Sequence, residues 1–211
     1  MNKGEKLDQS LTSTSKIPVA AAMCLMALAF APSLVRAQTN LLLNADLSAG
    51  SGDTPQAWEH SNYGGDLPDD VTFEWENDVE PADLEIWNYQ NADSRWTQDL
   101  RLKPGWYHFT ASVRTENVGE VDTGANISIM DTWFLSRHVT GSGFWEPIGF
   151  YLQVPKEADV TFACRLGFYS SVNTGKAWFR DLSAIKVDAP ASDGDPTYKL
   201  DPSAKSVAVQ K

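Results

Sequence analysis

Apolar positions in this chain recur at every second residue rather than at helical spacing. Tyr107, Phe109, Ala111 and Val113 alternate with His108, Thr110, Ser112 and Arg114, which predicts a strand with one face buried. Trp96-Thr97-Gln98-Asp99-Leu100-Arg101-Leu102 alternates as well, and Lys103-Pro104-Gly105 separates the two runs. They read as a hairpin-like unit with Pro-Gly at the bend. Further strands are expected over 41–43, 56–60, 71–76, 84–89, 126–131, 145–153, 160–169 and 177–187. Turn chemistry separates them: Gly50-Ser51-Gly52-Asp53, Gly64-Gly65-Asp66, Asn117-Val118-Gly119, Gly141-Ser142-Gly143 and Asn173-Thr174-Gly175. Eight to ten short strands spaced by such turns predict an all-β sandwich or jelly roll.

Both ends of the chain break this pattern. Lys3, Lys6 and Lys16 precede an apolar run from Val19 to Phe30, and the small-residue site Val35-Arg36-Ala37 follows. That order predicts a secretory signal over 1–37, cut before Gln38, and a secreted or periplasmic product. The run is 12 residues long, short of the roughly 20 that span a bilayer; an uncleaved signal anchor at the membrane is the alternative. From Asp188 onward, Asp, Ala, Pro, Ser and Gly replace the alternation, so 188–211 is expected to be a linker or disordered tail. The domain is then 38–187.

Composition narrows the partners. Beyond residue 37 the chain holds 13 Lys+Arg against 26 Asp+Glu, a net charge of −13. Such a surface repels nucleic acid and anionic lipid. Cys24 falls in the signal and Cys164 is left alone in the alternating run 160–166, so no intrachain disulfide is expected and Cys164 reads as a small buried hydrophobe.

All eight tryptophans lie beyond the signal. Flat aromatic rings cover the C–H faces of sugars, while amides, carboxylates and Arg bond the hydroxyls. The candidates for such contacts are those in polar surroundings. Trp75 stands in Phe73-Glu74-Trp75-Glu76-Asn77, and Trp133 follows Met130-Asp131-Thr132 near a loop. Trp87 and Tyr89 are two apart on a strand, facing one side about 6.5–7 Å from each other along it. A packed sheet edge is the alternative for this set. Trp58, Trp145 and Trp178 are expected in the core.

Catalytic machinery is not evident. Glu74 and Glu76 form a carboxylate pair of the kind glycoside hydrolysis uses, but in a solvated acidic context. His60, His108 and His138 lack metal-ligand spacing. Gly141-Ser142-Gly143 is not a nucleophile elbow, and there is no phosphate loop or dinucleotide fingerprint.

Four motifs in order carry a resemblance. They are Leu42-Leu43-Asn44-Ala45-Asp46-Leu47-Ser48 with Pro55-Gln56-Ala57-Trp58, then Pro104 to Arg114, Gly143-Phe144-Trp145-Glu146-Pro147, and Ala177-Trp178-Phe179-Arg180-Asp181-Leu182. Over Asn40 to Val187 the chain resembles the carbohydrate-binding modules with a galactose-binding-like jelly roll that are often attached to xylanases and cellulases. The resemblance implies a monomeric, non-catalytic jelly-roll β-sandwich binding a carbohydrate or polysaccharide. Its concave face would present aromatic rings from the 71–89 region. Arg114, on the polar face of its strand, matches a position that lines the cleft of such modules. It also implies a structural calcium, for which Asp46 and Asp181 would serve; two departures weaken that site, Ser48 where the family has Glu and Arg180 in place of the first Asp of a closing pair. Similar domains stand beside bacterial membrane glycosyltransferases. The second function class is therefore a scaffold in envelope polysaccharide assembly, with an envelope protein as partner.

Overall fold

The computed structural model describes residues 38–64 and 70–201. The expected signal, 1–37, and residues 202–211 of the expected tail lie outside the described residues. Every regular element described is a strand: β1 Gly50–Ser51, β2 Thr54–Pro55, β3 Glu59–Gly64, β4 Val71–Glu76, β5 Asp83–Leu102, β6 Gly105–Glu116, β7 Ala125–Ile129, β8 Glu146–Val154, β9 Ala158–Leu166, β10 Asn173–Val187 and β11 Thr197–Lys199. The described residues are all-β, as the alternation predicts.

β5 organises the architecture. Its first half pairs with β4 on one side and β10 on the other, and its second half pairs with β3 and β9. The ladder therefore divides along β5 into two leaves. The larger runs β11-β8-β6-β10-β5-β4, and the smaller runs β3-β5-β9-β7. Their inner faces meet in one core, where Phe109 of β6 stacks on Phe162 of β9 with centroids 5.6 Å apart. Trp58, Trp96, Phe150 and Phe179 are buried in the same core. The division falls where Asn88 Nδ2 donates to the carbonyls of Ala92, Leu166 and Asn173, tying three strands together. Gly167, at φ +91°, passes so close that a Cβ would lie 2.6 Å from the Ala92 carbonyl oxygen.

Several expectations change. Segments 84–89 and 96–102 are one continuous strand, β5. It does not form a hairpin with β6: both edges of its second half are taken by β3 and β9, while β6 lies between β10 and β8 in the other leaf. Lys103-Pro104 therefore carries the chain across the core. Residues 41–43 form no strand; nearby, Asn40 makes a single bridge to Ile185. Residues 188–201, expected as tail, instead dock on the larger leaf. β11 adds parallel to β8, Tyr198 stacks on Phe134, and His108 Nε2 bonds Asp195 Oδ2 at 2.8 Å. The polar composition of this segment hid three anchoring contacts. Cys164 is fully buried, which pushes its thiol up.

Candidate functional site

Strand alternation decides which side chains meet. On β6, Tyr107, Phe109, Ala111 and Val113 turn inward, so Ser112 and Arg114 face outward on the larger leaf. Register carries that outer face across the sheet. Arg114 stands opposite Trp178, Ser112 opposite Arg180, Lys176 opposite Trp87, and Trp178 opposite Glu85. A bulge in β10 between Arg180 and Ser183, with Asp181 at φ 52°, ends the regular pairing there.

These residues interleave cations and rings. Tyr89 stacks on Trp87, centroids 4.0 Å apart. Lys176 Nζ lies 3.8 Å from the Trp87 centroid and 5.6 Å from that of Trp178. The Arg114 guanidinium carbon is 4.1 Å from the Trp178 centroid and 5.4 Å from that of Trp145, and Arg180 is 4.0 Å from Trp145. Such contacts are worth roughly 0.5–2 kcal/mol each. The order Tyr89, Trp87, Lys176, Trp178, Arg114, Trp145, Arg180 forms a ladder across the outer face. Its tryptophan faces are occupied by neighbours, and the terminal ring, Tyr89, is 43% exposed.

Acidic groups line the same face. Asp83 and Glu85 are each 3% exposed. Burial pushes the Asp83 carboxyl up to about 7, with Glu76 acting in the same direction and Arg114 and Arg180 against it. Burial raises Glu85 too, opposed by its hydrogen bond with Lys176, whose Nζ is 3.1 Å from Oε1. Thr72 Oγ1, Asp83 Oδ1, Arg114 Nε and Arg180 Nε are buried without hydrogen-bond partners. Arg180 Nε still lies 3.6 Å from Asp181 Oδ2, so three such atoms on this face are polar capacity that the protein itself leaves unused.

The structure thus gathers Trp87, Tyr89 and Arg114 on one face. It separates the other two. Trp75 faces inward, opposite Leu84, and packs against the core with Nε1 donating to the Leu47 carbonyl at 3.0 Å. Trp133 is 73% exposed beside Phe168 and Tyr169, next to β9 of the smaller leaf. Trp58 is buried in the core as expected; Trp178 is buried too, but on the outer face, opposite Glu85 and Arg114, and Trp145 is half-buried on the ladder, because it precedes β8 in phase with the outward Pro147. Sequence reasoning missed Asp83, Glu85, Lys176 and Arg180. The signal was present in Glu74-x-Glu76 and Asp83-x-Glu85, two alternating acidic pairs either side of a turn.

Asp46 and Asp181 do line one cavity, together with Asn40, Asn44 and Glu80. Calcium needs six to eight oxygens, and several of those present are already engaged. Asp46 Oδ1 accepts from Ser48 N at 3.3 Å and Ser48 Oγ at 3.0 Å. Asn40 Oδ1 accepts from Leu42 N and Ala184 N, and Arg180 Nε lies 3.6 Å from Asp181 Oδ2. Among the described residues, Asp46, Asp181 and Glu80 do not bring three carboxylate oxygens within 4.8 Å of one another. Carboxylates alone therefore do not make a calcium site here; Asp46 and Asp181 would need backbone carbonyls beside them. A larger cavity of about 700 Å³ beside Trp58 and Gln98 offers less chemistry, since the Gln98 amide is already bonded to Leu43 and Ala57.

No family model and no curated protein matches the chain. Similar solved structures include the carbohydrate-binding module TmCBM61 in complex with β-1,4-galactotriose, at 14% identity and TM-score 0.44, covering 71% of this chain and 100% of that one. Another is the family 11 carbohydrate-binding module from Clostridium thermocellum in complex with a β-1,3-1,4-mixed-linked tetrasaccharide, at 9% identity and TM-score 0.41, covering 72% and 97%. A third is the enzymatically active domain of tailspike protein 4 of bacteriophage CBA120, at 16% identity and TM-score 0.46; the alignment covers 70% of this chain and 21% of that one. Carbohydrate-binding modules recur among the similar structures.

Proposed function

We propose that this is an exported, non-catalytic glycan-binding domain whose ligand lies on the outer face of the larger leaf. One observation carries the reading: Tyr89 is an open ring, braced by Trp87, on the same sheet face as three buried polar atoms without partners, Thr72 Oγ1, Asp83 Oδ1 and Arg114 Nε. A sugar ring stacks its C–H face on Tyr89; Asp83, six residues along β5 and so about 20 Å away, and Arg114 would be reached only by further rings of an oligosaccharide. An apolar wall with a few fixed polar groups is the usual composition of such a site. Trp87 acts mainly as the brace, since Lys176 and Tyr89 occupy it.

A second reading, a protein-interaction scaffold, draws on Phe144, 93% exposed, and on Trp133, both off the ladder. A glycan-array screen of the folded full chain separates the two. Capture of a defined glycan class supports the first, and a blank array moves the conclusion to the scaffold.

A further inference from the structure

Residues 188–196 leave the end of β10, cross β6 and β8 on the outer face of the larger leaf, and enter β11 at its edge. On that face β6 and β8 set His108 directly opposite Tyr151, and their rings stack with centroids 4.0 Å apart and planes 9° from parallel. The crossing segment brings Asp193 and Asp195 to the same two residues. His108 Nε2 lies 2.8 Å from Asp195 Oδ2, and the Tyr151 hydroxyl donates to Asp193 Oδ2 at 2.6 Å. One donor atom each of His108, Asp193 and Asp195 lies within 4.8 Å of the other two.

The backbone is shaped to hold these donors. Gly149, two residues before Tyr151 and on the same phase of β8, leaves the hollow that the Asp195 carboxylate fills: a Cβ there would lie 2.3 Å from Oδ2. Gly194, at φ +93°, turns the chain between the two aspartates, and Asp195 N donates to Asp193 Oδ1 at 3.1 Å. Tyr151, itself buried, fixes the imidazole by stacking and the Asp193 carboxylate by its hydroxyl. That is the outer-shell arrangement that orients metal ligands. A carboxylate accepts at about four lone-pair positions, so the bonds from Tyr151, Asp195 N and His108 leave lone pairs on both aspartates.

We infer that His108, Asp193 and Asp195 form a zinc site that clamps the crossing segment to the larger leaf. One imidazole nitrogen with two carboxylate oxygens is a donor set for a borderline transition ion, and zinc takes such a set as three protein ligands with a water in the fourth position. Zinc holds nitrogen and oxygen at about 2.0–2.2 Å, which spaces tetrahedral donors roughly 3.3 Å apart, within the span of these atoms. The proton that His108 Nε2 shares with Asp195 stands where the ion binds, so binding releases one proton. Asp193 is exposed, which opens the fourth position to solvent. The ligands meet only through the crossing of 188–196 over β6, so the spacing of histidines along the chain does not display them. The site shares no residue with the Asp46–Asp181 cavity or the aromatic ladder, and it does not depend on the glycan reading.

Zinc alone tests it. The full chain, stripped with EDTA and exchanged into neutral metal-free buffer, is titrated with zinc chloride by calorimetry, and its hydrogen exchange is read with and without the ion. One saturable site is expected, with Kd on the order of 10⁻⁶ M. Asp193→Asn, at an exposed position that leaves folding intact, and His108→Gln each weaken it at least about tenfold, a loss of about 1.4 kcal/mol. His60→Gln leaves it unchanged. Zinc slows exchange at the Tyr151 and Leu200 amides, which donate to Pro196 and Gln153, and leaves β9 as it was. Absence of binding by folded protein overturns the inference and makes His108–Asp195 a hydrogen-bonded pin alone. Undiminished affinity in both Asp193→Asn and His108→Gln, loss on His60→Gln, or binding without slower exchange at those two amides overturns it equally.

Discussion

Arg114 stands directly across from Trp178 on the neighbouring strand, with its guanidinium carbon 4.1 Å from the indole centroid. The pair sits at the middle of the ladder, where one planar cation serves two rings. Arg114→Lys keeps the charge but cannot cover Trp178 and Trp145 with a flat guanidinium. A loss of about 0.5–2 kcal/mol in chemical denaturation is expected. Unchanged stability would mean that the ladder contributes nothing to the fold.

Arg165 and Asp93 form a buried pair on the smaller leaf. Arg165 Nε donates to Asp93 Oδ1 at 2.5 Å, Arg165 Nη2 bonds Oδ2, and Tyr169 N donates to the same carboxylate at 2.9 Å. The guanidinium also lies against the rings of Phe168 and Tyr169. Removing one partner leaves an uncompensated buried charge, at a cost of about 3–5 kcal/mol. Asp93→Ala is therefore expected to lower the denaturation midpoint sharply, or to prevent folding. Asp159→Ala, at an exposed surface pair with Arg101, changes it by less than about 1 kcal/mol.

Asp83 links stability to pH. Its carboxyl is held up to about 7 in the folded protein, chiefly by burial, against roughly 3.9 in an unfolded chain. The folded state binds this proton more tightly, so the contribution is complete below about pH 4 and is lost as pH rises through about 7. Stability attributable to this group therefore falls as pH rises from about 4 to about 7 and is gone by about pH 8. Asp83→Asn is expected to flatten that fall and to exceed the wild type in stability at pH 8. A steeper fall in the variant contradicts this assignment.

Gly149 is where the docked C-terminal segment crosses the larger leaf. A Cβ there would lie 2.3 Å from Asp195 Oδ2 and 3.0 Å from the Phe109 carbonyl oxygen. Gly149→Ala is expected to displace Asp195 from His108 and loosen β11 from β8. Hydrogen exchange then quickens at the Tyr151 and Leu200 amides, which donate to Pro196 and Gln153, while the amides of β9 keep their protection.

The alternation of apolar residues was enough to place β4 at 71–76 and to locate the cores of β6, β8 and β10, because a half-buried strand writes its period into the sequence. Pairing partners were not legible in that way. The Pro-Gly bend suggested a hairpin, but whether two strands pair depends on which edges other strands have already taken. The site was read in halves for the same reason. Trp87 and Tyr89 are neighbours along one strand, a relation the sequence displays. Trp178 and Arg114, or Glu76 and Asp83, meet only through register between strands. Trp75 was misplaced because its acidic neighbours suggested solvent, whereas strand phase turns its ring inward while Glu74 and Glu76 remain outside.

The most direct test of the glycan-binding face is the affinity of Tyr89→Ala, by fluorescence titration or calorimetry, for a glycan the wild-type chain captures, with Trp133→Ala beside it. The account predicts at least about a tenfold loss for Tyr89→Ala, about 1.4 kcal/mol, and wild-type affinity for Trp133→Ala. Full affinity in Tyr89→Ala, or a loss confined to Trp133→Ala, would place the ligand elsewhere and contradict it.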